Sequence, residues 1–275
     1  MPTIQTSHGP IAVHEYGSGD PIVLLHANPG SARDFDAVIP TLSATHRVLA
    51  LDFPGYGDSP PPADPRTASA MMFADVAQEA VEHLALGPAI IIGNSVGGFS
   101  AARLAARRPD LVRAIILVDS GGFAKPNLQA RLFCSFKGSE RVTRRITGRF
   151  ARTYLKRRNE WTKAILDRTD AGARNPTTVA IDAALWRSFA SPGHDLTTEA
   201  ANIRCPALLV WGKHDPVLKL KTDGRAAEAL IPGARLVAMD TGHMPFAEDP
   251  DAFLAAVQPF LQEVAHAANG VASHG

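Results

Sequence analysis

The chain has 275 residues, of which 45% are hydrophobic and 20% charged, with a formal net charge of +1. Near-neutral charge argues against a nucleic-acid binder, and no apolar run approaches the length that crosses a bilayer. The N-terminus has no basic segment followed by an apolar stretch, so a cytoplasmic location is expected, without a membrane association.

In chain order, strands are expected near 11 to 16 and 21 to 26, the latter an apolar run that enters His26-Ala27-Asn28-Pro29-Gly30. A helical stretch at 31 to 43 precedes a strand at 47 to 52, which leads into Asp52-Phe-Pro-Gly55-Tyr-Gly57-Asp58-Ser59. After a helix at 67 to 86 comes Pro88-Ala-Ile-Ile-Ile, a strand at 89 to 94 that runs straight into Gly93-Asn94-Ser95-Val96-Gly97. Helix-forming residues follow over 97 to 107 and stop at Pro109, which cannot continue a helix. Strands at 114 to 118, 207 to 211 and 235 to 240 and a helix at 249 to 265 complete the pattern. Continuous Val, Ile and Leu runs alternating with helices describe an α/β fold with a mostly parallel sheet covered on both faces.

Gly-x-Ser-x-Gly between a strand and a helix is the nucleophile-elbow pattern, in which a sharp turn lifts the serine hydroxyl clear of the sheet. Ser95 is therefore the candidate nucleophile. It precedes a helix start, where unpaired amides and the helix dipole favour negative charge. A serine hydroxyl needs a base to take its proton and a carboxylate to orient that base. The loop after strand 207 to 211 offers Asp215 as the acid, and Thr241-Gly242-His243-Met244-Pro245 offers His243 as the base. Asp119, directly after strand 114 to 118, is the alternative acid.

The order Ser95, Asp215, His243, with the elbow and the turns quoted above, resembles the α/β-hydrolase family over about residues 10 to 264. His26-Ala27-Asn28-Pro29-Gly30 resembles the family's His-Gly-x-Pro-Gly oxyanion turn, with alanine second. The resemblance implies that the backbone amides of Asn28 and Val96 hold an oxyanion, that Asp52 to Ser59 is a structural turn, and that residues 1–120 and 199–265 form the hydrolase core. It further implies a serine esterase working through an acyl-enzyme. The second reading is a hydrolase of carbon-carbon bonds in ring-opened aromatic diketone acids, whose elbow is similar but which carries tryptophan where this chain has Met244. A third, of another class, is a ligand receptor with little turnover.

Residues 121–198 contain no buried-strand pattern and are expected to form a helical cap. From Arg131 to Arg174 there are thirteen Lys and Arg against four Asp and Glu, a local +9 that leaves −8 for the rest. Such a lid either draws in an anionic substrate or presents a solvated basic face. Phe133, Phe136, Phe150, Trp161, Trp186 and Phe189 are expected to turn inward, some lining an acyl or aromatic pocket. The substrate is thus a small molecule, with anionic or aromatic character as the options. Cys134 and Cys205 are expected as reduced thiols. No metal-ligand spacing or phosphate loop occurs, so no cofactor is expected. His8, His14, His46, His83 and His194 have no partner pattern, His214 reads as a loop histidine, and the tail 266–275 lacks apolar periodicity and reads as disordered.

Overall fold

The structure, a computed structural model, describes residues 3–272. Its eight strands are β1 (Thr3–Thr6), β2 (Gly9–Tyr16), β3 (Asp20–Leu25), β4 (His46–Leu51), β5 (Ala89–Asn94), β6 (Val112–Val118), β7 (Ala207–Gly212) and β8 (Arg235–Met239). They form one sheet in the order β1-β2-β4-β3-β5-β6-β7-β8. β2 pairs antiparallel with β1 and β4, and every other pairing is parallel. This is the α/β-hydrolase fold. β1 was not expected, because Thr-Ile-Gln-Thr is short and mostly polar. It forms because Ile4 is buried and its backbone pairs with β2.

The helices are α1 (Ile39–Ser43), α2 (Ala70–Leu84), α3 (Val96–Arg107), α4 (Leu128–Lys137), α5 (Glu140–Tyr154), α6 (Glu160–Gly172), α7 (Pro176–Ser188), α8 (Arg225–Leu230), α9 (Pro245–Glu248) and α10 (Pro250–Ala272). Capping side chains explain several starts: Ser69 accepts from the Met72 amide, and Asn127 and Asn159 cap α4 and α6 in the same way. The helix expected over 31 to 43 is instead a 3₁₀ turn at Ala32–Phe35 and the short α1, where Pro40 stands in the first turn and has no amide to continue an earlier helix. α10 outruns its expected end, since Ala265, His266 and Ala267 extend its register. The disordered tail expected from His266 is corrected to that extent, and residues 273–275 lie outside those described.

β3, β5, β6 and β7 are sealed on both faces by two apolar layers. One includes Phe53 stacked on Phe73 with ring centroids 4.3 Å apart; the other includes Phe35 stacked on Phe246 at 4.5 Å. Truncating such a ring to alanine costs about 3–5 kcal/mol, so the sheet is a stiff platform for the loops at its C-terminal ends. Four helices, α4 to α7, enter between β6 and β7 at that end. No helix among the described residues is long and apolar enough to cross a membrane.

Candidate active site

Ser95 stands between β5 and α3 with φ 56° and ψ −114°, a left-handed backbone that a serine adopts only when the fold forces it. The two flanking glycines make that possible. A Cβ on Gly93 would lie 2.3 Å from the Gly97 carbonyl oxygen, and one on Gly97 would lie 2.2 Å from that of Leu25. The Ser95 amide donates to Val118 O at 3.0 Å, which fixes the turn to the neighbouring strand.

His243 reaches the same end of the sheet from the loop after β8. Its Nδ1 lies 2.6 Å from Asp215 Oδ2, and both side chains are buried. Asp215 Oδ1 accepts from the Val217 and Leu218 amides at 2.7 and 3.2 Å. The buried Trp211 Nε1 donates to Leu218 O at 2.7 Å and pins that turn to β7. A carboxylate only accepts, so this arrangement puts the imidazole proton on Nδ1 and leaves Nε2 as a free base. No hydrogen bond joins Ser95 Oγ to His243 among the described residues, yet both line one cavity of about 740 Å³. Asn94 Nδ2, one residue before the serine, donates to His243 O at 3.0 Å and ties the two loops together.

The two candidate acids separate by geometry. Asp119, Asp215 and His243 converge with ligand atoms within 4.8 Å of one another, but Asp119 turns its carboxyl to the Gly212 amide, at 3.0 and 3.3 Å. Burial pushes Asp119 well above the ordinary carboxylate range, and the neighbouring Asp215 charge adds to the effect. The low-dielectric surroundings thus favour the neutral form of Asp119. The other triplet with metal-ligand atoms, His14, Asp52 and Asp58, is engaged in hydrogen bonds: Asp52 accepts from His14 Nε2 and from the Ala32 and Asp58 amides. This corrects the reading of His14 as partnerless; its partner is 38 positions away and invisible to local pattern.

In the turn after β3, Ala27 is buried and does not have a positive φ, so alanine fits there without strain. His26 is fully buried, with Nδ1 2.6 Å from Ala27 O while Nε2 accepts from the Phe53 amide at 2.9 Å; burial lowers its pKa. The Asn28 and Val96 amides have no acceptor in any turn, loop or side chain among the described residues. Asn28 and Val96 both line the cavity with Ser95.

Sequence reasoning missed three residues here. Glu248, buried in α9, accepts from the amides of Gly242, Met244, Lys156 and Arg157 at 2.7 to 3.2 Å, clamping the His243 loop to the chain leaving α5. His194 lines the cavity, its ring against Phe99 and Phe189, and burial drops its pKa to about 4. Lys137, expected only as one charge of a basic run, is 1% exposed and also lines the cavity. Of the aromatic residues expected inward, Phe133, Phe150, Trp186 and Phe189 line the cavity, but Phe136 is 57% exposed, because it falls on the outer side of α4. Cys134 and Cys205 are free thiols, both pushed up to about 11 by burial. Arg141, Arg144, Arg145 and Arg149 are exposed, as a solvated face requires.

Residues 20–250 match the family model described as alpha/beta hydrolase fold. The chain is 30% identical to a pimeloyl-[acyl-carrier protein] methyl ester esterase of Neisseria meningitidis, over 88% of this chain and 94% of that one. It is 28% identical to an (E)-2-((N-methylformamido)methylene)succinate hydrolase of Acinetobacter baylyi, over 94% and 97%. A thermophilic esterase from Thermogutta terrifontis, solved with malate bound, superposes with a TM-score of 0.78 at 25% identity, over 95% of this chain and 98% of that one.

Proposed function

The chain belongs to the α/β-hydrolase family and is a hydrolase, and from that premise we propose that it cleaves carboxylic esters by a Ser95-His243-Asp215 triad. The observation that carries the proposal is the 2.6 Å contact of His243 Nδ1 with Asp215, in a cavity that also holds the strained Ser95. His243 Nε2 takes the Ser95 proton as Oγ attacks the ester carbonyl. The resulting oxyanion is held by the amides of Asn28, in the turn after β3, and of Val96, at the start of α3, where the dipole adds to the stabilisation. His243 returns the proton to the leaving alcohol, and an acyl-enzyme remains on Ser95. Water, deprotonated by the same nitrogen, then attacks the acyl carbon; the acid leaves and the proton goes back to Ser95 Oγ.

Residues 121–198 act as a cap that closes the cavity over the serine. The aromatic wall of Phe133, Phe150, Trp186 and Phe189 suits an acyl or aromatic group. A cytoplasmic location belongs to the same proposal. Labelling with a fluorophosphonate probe tests it directly: an adduct located by mass spectrometry at Ser95, and absent from Ser95→Ala, is the expected result. A folded protein that takes no label would overturn it.

A further inference from the structure

The cavity that holds Ser95 and His243 is bounded on the side of the inserted helices by a buried ammonium. Lys137, the last residue of α4, is 1% exposed, and its Nζ donates to Thr147 Oγ1 at 2.5 Å. Thr147 in turn donates to Asp182 Oδ2 at 3.0 Å, so the nearest carboxylate oxygen is held 3.6 Å from Nζ, beyond a direct hydrogen bond. An ammonium has three donors, and Thr147 occupies one. The Phe150 and Trp186 rings also stand near it, with centroids 5.6 and 5.5 Å away, and their faces attract a cation without accepting a hydrogen bond as an anion does.

The pair is also oriented. Lys137 lines the Ser95 cavity, whereas Asp182 lines a separate cavity of about 530 Å³ behind the Asn28-Pro29 turn. The lysine end of the pair thus borders the cavity that holds Ser95, and the aspartate end borders the other. Two further buried donors on the Ser95 side have no acceptor: Trp186 Nε1, and Asn28 Nδ2, whose amide oxygen is already held by the Tyr56 hydroxyl at 2.6 Å. Charged residues lining this cavity are Lys125, Lys137 and Lys219 against Asp223. A buried unsatisfied donor beside a buried cation is costly unless a ligand supplies the acceptor.

We propose that Lys137, with the Trp186 indole N–H, forms a carboxylate subsite, and that the substrate is an ester bearing a second, free carboxylate. The inference rests on the esterase reading of Ser95 and adds the substrate class. Burial lowers the Lys137 pKa and Asp182 opposes that, so an anion arriving on the cavity side favours the charged form further. The carboxylate itself does not react; it fixes which way the ester lies.

The test compares kcat/KM for monomethyl adipate with dimethyl adipate, and for 4-acetoxybutyrate with its methyl ester, which places the free carboxylate on the acyl or the alcohol side. In at least one pair the acid form is preferred by about ten- to hundredfold, the range of a hydrogen bond to a charged group. A Lys137→Met/Asp182→Asn double variant, which leaves no unpaired buried charge, brings that ratio toward one. A purely structural pair would lower both members of a pair together and leave the ratio intact, and that result, or the absence of any preference in the unmodified enzyme, overturns the proposal. Calorimetric titration of adipate into Ser95→Ala decides the subsite without turnover, so it stands apart from failure of the esterase reading. Binding lost in the double variant supports it, and equal or absent binding in both proteins refutes it.

Discussion

Asp119 and Asp215 follow neighbouring strands and converge on one spot, yet only Asp215 meets His243, at 2.6 Å, while Asp119 bonds the Gly212 amide. The acid that meets the histidine is thereby backed by one whose burial favours its neutral form. The division of labour has measurable consequences.

Asp215→Asn should lower kcat/KM for a short ester by roughly 10⁴-fold, because an amide at that position favours the wrong imidazole tautomer. Asp119→Asn keeps a neutral group of the same shape and should cost no more than about tenfold, the worth of one altered hydrogen bond. Steady-state kinetics of the two variants settles which acid serves His243; equal losses would remove the distinction.

Asp119 also sets a pH dependence of stability. Its folded pKa is raised above the unfolded one, so the stability it lends is complete below the ordinary carboxylate range and is lost as pH rises from there through the raised folded value. Asp119→Asn removes that slope. The melting temperature of the variant, relative to the unmodified protein, should therefore climb as pH rises above the unfolded aspartate value of about 4, as scanning fluorimetry would show.

His194 has the opposite sign. Its pKa falls from 6.5 unfolded to about 4 folded, so its contribution is present above 6.5 and is lost as pH drops through that interval toward 4. His194→Phe, which keeps a ring against Phe99 and Phe189, should flatten the acid side of the melting curve. It should leave the pH-rate profile unchanged, since His194 takes no part in the proposed proton transfers.

Glu248→Gln replaces an acceptor of four amides with a group that presents an N–H₂ to some of them. A loss of about 1–3 kcal/mol in urea unfolding is expected. kcat should fall with it, because the His243 loop is then unfastened. An unchanged kcat with reduced stability would confine Glu248 to the scaffold.

Where neighbours in sequence are neighbours in space, the residues announced themselves. β3, β5, β6 and β7 appear as unbroken apolar runs because both faces are covered, and Ser95 carries its own glycines and strand on either side. His243 sits in a loop with its own recognisable surroundings. In the sequence, the preference for Asp215 over Asp119 rests on chain order rather than on geometry, since both follow a buried strand and only side-chain direction separates them. Lys137 was hidden for a different reason: in a stretch with thirteen basic residues, one that points inward has the same letter as those that point out. Glu248 reads as an ordinary acid in the first turn of a helix, although two of its amide partners, Lys156 and Arg157, stand 92 and 91 positions away.

The clamp on the histidine loop reaches beyond its own stability. The His243 amide is bonded to Tyr154 O at 2.8 Å, and Glu248 holds both that loop and the amides of Lys156 and Arg157. The inserted helices thus hang from the same carboxylate and carbonyl that hold the base. In the proposed esterase a displacement of α5 would pull on the histidine loop, so that admitting a substrate and aligning the proton acceptor would be one mechanical event.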